Sequence, residues 1–94
     1  LFLSTTLFRS IFAGAWYQLG LVQIHLIEAE RNYELPTPEE KWGRRPHLAF
    51  AIADLTTVKQ RLTEAAIPMQ PSSSGRTAIF ICDPDGHIIE LTQL

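Results

Sequence analysis

The chain has 94 residues, 46% of them hydrophobic and 19% charged, with a formal net charge of -2 at pH 7. That apolar mass suits one compact domain near the lower size limit for folding without staples. Arg44-Arg45 falls far short of the cationic footprint of a nucleic-acid binder, and a single cysteine, Cys82, excludes an internal disulfide and suits a reducing cytoplasm.

Residues 1 to 16 are apolar, and Ala13-Gly14-Ala15 resembles the small-residue cleavage site of a secretory signal. Against that reading, no basic leader precedes the apolar part and Arg9 interrupts it. The stretch is also too short and broken for a bilayer span, which takes ~20 apolar residues. The expectation is a chain with no membrane or nucleic-acid partner.

Ala15 to Leu19 and Val22 to Glu28 read as two strands joined at Gly20-Leu21, a hairpin signal. Residues 31 to 45 hold Pro36, Pro38 and Gly43 among charges and read as a long connection without a regular element. His47 to Ala53 reads as a strand. Asp54 suits the N-cap of a helix whose apolar positions Leu55, Val58, Leu62 and Ala65 follow helical spacing, and Pro68 stops it. After the polar run Gln70 to Gly75, Thr77 to Cys82 is a strand and Ile88 to Gln93 its return. Asp83-Pro84-Asp85-Gly86 is the turn between them, with aspartate, proline and glycine at the first, second and fourth positions of type I.

The two halves form a degenerate repeat. Gln23-Ile24-His25-Leu26-Ile27 lines up with Ile88-Ile89-Glu90-Leu91-Thr92, each with one metal-competent side chain inside an apolar strand.

Pro46-His47-Leu48-Ala49-Phe50, Asp54-Leu55 opening a helix, and Phe80-Ile81-Cys82-Asp83-Pro84-Asp85-Gly86-His87-Ile88-Ile89-Glu90-Leu91 together resemble the second βαβββ module of the vicinal-oxygen-chelate superfamily. That superfamily includes glyoxalases, bleomycin-resistance proteins and extradiol dioxygenases. Residues 10 to 30 resemble the end of the first module more loosely. The resemblance implies an α+β fold of paired βαβββ modules across 1–94, with 10–30 a remnant of the first module, 31–45 a connection and 46–94 the second. The first module would lack its opening strand and helix, roughly 25 to 30 residues by ordinary element lengths. Such a chain is expected to self-associate, a homodimer being the simplest closed solution.

Carried over residue by residue, His47 matches the ligand on the first strand of the second module and Glu90 the ligand on its last strand. His25 occupies the corresponding last-strand position of the first module. Glyoxalase I commonly has glutamate there, so His25 departs from that branch. Two imidazoles and a carboxylate suit zinc, iron, manganese, nickel or cobalt. A cation so held would act as a Lewis acid, with Glu90 as ligand and base in turn. The function implied is a metal-dependent enzyme acting on a small vicinally oxygenated substrate. Its rival is a metal-free module that sequesters a ligand in the same cavity, as bleomycin-resistance proteins do.

Each candidate has a plainer structural role beside it. His47 could satisfy a backbone carbonyl at a strand start, Glu90 could face solvent, and His25 could make a cross-strand polar contact. Arg44 could grip an anionic group or be solvated. Trp16 and Phe80 could line the cavity or be core, and Gln23, sharing the face of His25, is a candidate substrate or supporting contact. Alternation predicts that His47, Ala49 and Ala51 share one face while Leu48, Phe50 and Ile52 pack under the helix.

Overall fold

A computed structural model of the chain describes residues 2–4, 14–30 and 34–94. Most of the opening stretch weighed as a secretory leader lies outside them. The chain divides into two compact units, Leu1–Asn32 and Tyr33–Leu94.

The first unit is a three-stranded antiparallel sheet in the order β1 (Phe2–Ser4), β2 (Gly14–Leu19), β3 (Val22–Ile27). Leu19 pairs with Val22 around Gly20, whose φ of 58° is the left-handed value that the first position of a primed hairpin turn requires. Strand β1, pairing Phe2 to Ser4 with Gln18 to Trp16, was not anticipated from the sequence.

The second unit supplies β4 (His47–Ile52), α1 (Leu55–Glu64), β5 (Gln70–Pro71), β6 (Ala78–Cys82) and β7 (Ile88–Gln93). Its four-stranded sheet runs β4-β7-β6-β5. β4 is parallel to β7 and the other pairs are antiparallel. This is the expected βαβββ order, with the crossover helix required to bring the first strand beside the last. The Asp83–Gly86 turn closes as read: Gly86 N–H donates to the Asp83 carbonyl at 3.0 Å, and Asp83 Oδ1 accepts from Asp85 and His87 N–H at 2.9 and 2.8 Å.

Asp54 caps α1, Oδ1 accepting from Thr57 N–H at 3.0 Å and Oδ2 from the Thr57 hydroxyl at 2.6 Å. A second orphan amide of the first turn, Leu55 N–H, is satisfied by Gln93 Oε1 at 2.8 Å, tying the helix start to the sheet. Leu55, Val58 and Leu62 turn inward at helical spacing, and Leu55 is 2% exposed. Of the strand residues expected under the helix, Phe50 and Ile52 are half-buried but Leu48 is 55% exposed. A helix of 10 residues spans about 15 Å, short of the ~20 Å of a six-residue strand. Among the described residues no helix is long and apolar enough to cross a membrane.

The register sorts the sheet into two faces. His47, Ala49 and Ala51 pair with Ile88, Glu90 and Thr92, which in turn pair with Cys82, Phe80 and Ala78. These residues share the face opposite the helix. Over that face lies the described part of the segment read as a connection. Its Trp42, in a short 3-10 turn (Trp42–Arg44), is 5% exposed and packs with Phe80 and Ile88, with Cys82 against the cluster. The Trp42 Nε1–H donates to the Thr37 carbonyl at 3.0 Å. Gln70 clasps the segment from the sheet: its Oε1 accepts from Trp42 N–H at 3.1 Å and its Nε2 donates to the Glu40 carbonyl at 2.8 Å. Gly43 is required for this approach, because a Cβ there would lie 2.8 Å from the Phe80 ring.

Candidate metal centre

Glu90 is 3% exposed, and a carboxylate buried this deeply must be paired. Its two oxygens have different partners. Oε2 faces His47 Nε2 at 3.0 Å. Oε1 accepts from Arg76 Nη2 at 2.8 Å and from the Thr92 hydroxyl at 3.3 Å. Parallel pairing of β4 with β7 sets His47 and Glu90 on one face, and the Phe80 ring meets His47 edge-on, with centroids 5.3 Å apart.

The proton inventory of His47 defines what its free nitrogen can do. Nδ1 lies 2.6 Å from the Arg45 carbonyl, which can only accept, so Nδ1 carries the hydrogen. Nε2 is then the nitrogen with a lone pair in the neutral ring, the arrangement found when a backbone carbonyl orients a metal-ligating histidine. It faces Glu90 Oε2, so that two potential donor atoms for a cation are turned toward each other. Their 3.0 Å separation is compatible with two ligands each at ~2.0 to 2.2 Å from one divalent ion. The donor set therefore fits a metal. Among the described residues no group of three or more histidine, cysteine, aspartate or glutamate side chains gathers to hold one; His47 and Glu90 come together as a pair.

His25 lies in the first unit, on β3. Its ring stacks on Trp16, centroids 3.9 Å apart and 6° from parallel, and its Nε2 is 3.1 Å from Gln23 Oε1. Trp16, Gln23 and His25 thus form one cluster. Of the other candidates, Arg44 and Phe80 line a cavity of about 470 Å³ in the second unit, together with Lys41, Trp42, Gln70 and Arg76.

Arg76 escaped the sequence reading. It directly follows the polar run Gln70 to Gly75, which carries no periodic signal. Its pairing with Glu90 exists because the antiparallel hairpin of β6 and β7 brings the start of one strand beside the later part of the other. Cys82 is half-buried, and burial first, then the neighbouring Asp83, push its thiol above the ordinary value, with Arg45 opposing. That environment favours the unreactive protonated form.

The second unit's strand order and register are those of the vicinal-oxygen-chelate fold, and the chain has the fold of glyoxalase family proteins. Solved structures bear this out. A Bacillus anthracis protein described as a glyoxalase family member superposes with a TM-score of 0.64 at 22% identity, over 86% of this chain and 62% of its own. The fosfomycin resistance protein FosX from Mesorhizobium loti gives 0.59 at 22% identity, over 98% and 68%. A glyoxalase family protein from Enterococcus faecalis gives 0.57 at 27% identity, over 86% and 67%. The chain thus spans 62% to 68% of the length of these three proteins. No family model and no curated protein matches it.

Proposed function

We propose that this chain is part of a metal-dependent enzyme of the glyoxalase or dioxygenase type, acting on a small substrate with adjacent oxygens. The observation that carries the reading is the buried Glu90 carboxylate aimed at His47 Nε2 while Nδ1 is held by a carbonyl. His47 and Glu90 are the ligands in this reading. A divalent cation bound there would act as a Lewis acid on the substrate oxygens.

The chain's own residues do the rest. Glu90, whose Oε2 faces His47 while Oε1 is held by Arg76, is the group for proton transfer. His47 stays fixed through its Nδ1–H bond to Arg45. Phe80, directly across from Glu90 on β6, helps keep water from the carboxylate. Lys41 and Arg44 line the cavity and suit a substrate that carries an anionic group. The neighbours named for fosfomycin resistance are consistent with a small, oxygen-rich substrate. The working form in this proposal is a homodimer in the cytoplasm.

The test is metal binding. In protein purified without added metal and titrated with Mn²⁺, Glu90→Gln, which keeps the shape and removes the charge, should weaken binding at least ~10-fold with the fold retained. Equal affinity in the variant and the parent would remove Glu90 from the site and leave the enzyme reading without its base.

A further inference from the structure

Resting on the metal-binding reading, we propose that Arg76 is a positioning residue that makes Glu90 a one-oxygen ligand and so keeps a coordination position open for substrate. Carboxylates bind divalent ions through one oxygen or through both. Which mode Glu90 adopts depends on whether its second oxygen is free. Here it is not: Oε1 takes a charge-assisted hydrogen bond from Arg76 Nη2 at 2.8 Å and a longer one from Thr92, while Oε2 alone points to His47.

Arg76 is itself held in place. Its Nε–H donates to Ser74 Oγ at 3.1 Å, and Ser74 Oγ lies 2.8 Å from Ser72 Oγ. The turn before it passes through Gly75 at a φ of 80°, a conformation glycine adopts without strain. The guanidinium is therefore aimed by its own loop. Its side chain is 59% exposed, and it also lines the 470 Å³ cavity. The residue that restrains the ligand thus borders the space a substrate would fill.

Rotation of Glu90 to bind through both oxygens would have to break the Arg76 bond and bring the cation closer to a guanidinium of like charge. Removing Arg76 removes both obstacles, so Oε1 joins the ion and one water leaves it. The full chain loaded with Mn²⁺ reports this directly, because water-proton relaxation counts the exchangeable waters on the ion. Arg76→Ala should show one water fewer than the parent and bind Mn²⁺ tighter by roughly tenfold. Arg76→Lys, which keeps a donor and a charge for Oε1, should restore the parent's water count and guards against a folding defect in the alanine variant. Weaker binding with an unchanged water count in Arg76→Ala would make Arg76 an ordinary support of Glu90 and overturn the inference, leaving the metal site standing. Absence of Mn²⁺ binding to parent and variants alike would overturn both.

Discussion

In the first unit Trp16 lies directly across from His25 on β2 and β3; in the second, Phe80 lies directly across from Glu90 on β6 and β7. The repeat visible in the sequence is thus also a repeat of register, with an aromatic partner opposite each polar centre. The surroundings differ. Glu90 lies on β7 between β4 and β6, on the face where Trp42 packs with Phe80 and Ile88, and the buried side chains of residues 14–30 and 34–94 all belong to the second unit. None of residues 14–30 in the first unit is deeply buried, and Leu26 and Ile27 are 49% and 56% exposed. A position in a repeat sets which way a side chain points. Burial, and with it the chemistry of a carboxylate or imidazole, comes from the elements packed around it.

The strongest way to break this comparison is to remove the cover. Trp42→Ala takes out a buried ring that packs with Phe80 and Ile88 and should cost the second unit ~3 to 5 kcal/mol in urea denaturation. Ile24→Ala, at a half-buried position of the first unit, should cost about 1 kcal/mol. Equal costs would mean that the two units do not differ in packing as their burial says.

That contrast also explains what could be read in advance. The hairpin at Asp83 to Gly86 and the helix from Leu55 follow from local signals: turn chemistry and helical spacing. The metal-ligand role of His47 and Glu90 is what the family resemblance implies; the structure brings the two side chains together, with His47 Nδ1 on the Arg45 carbonyl and the Glu90 carboxylate buried. Two contributors were not legible. Trp42 stood in a proline-rich stretch read as a connection, yet a large apolar ring among charges needs cover, and that signal was there to be used. Arg76 offered no such hint, because its importance lies in a contact made across 14 residues by the fold.

A smaller effect sharpens the comparison through pH. Thr57, through its hydroxyl first and its backbone N–H second, holds the Asp54 carboxyl below its ordinary value of 3.8. A carboxyl depressed on folding contributes stability that is fully present above the unfolded value and lost as pH falls through the lower folded one. Asp54→Asn keeps an acceptor oxygen for the cap but does not titrate. The parent should melt a few degrees above the variant at neutral pH, and the gap should close as pH drops below 3.8. A gap that stays constant with pH would mean the charge on Asp54 contributes nothing to the helix.

The smallest expected effect is a gain. The helix ends at Glu64 with Ala65 as its C-cap, and the next residue, Ala66, has a left-handed φ of 56°, with Ile67 N–H closing back on the Leu62 carbonyl at 2.9 Å. This is the position after the helix C-cap where glycine is ordinarily found, since a Cβ in that conformation costs about 1 to 2 kcal/mol. Glycine relieves that cost but enlarges the freedom of the unfolded chain, which takes back roughly 0.5 to 1 kcal/mol. Ala66→Gly should therefore stabilise the second unit by about 0.5 kcal/mol, near the difference between these opposing effects. Because residue 66 lies in the second unit alone, amide exchange should slow in β4, β6 and β7 and stay unchanged in β2 and β3. Slower exchange in both sheets would show that the two units unfold as one cooperative body, and the contrast drawn from their burial would then describe packing without describing stability.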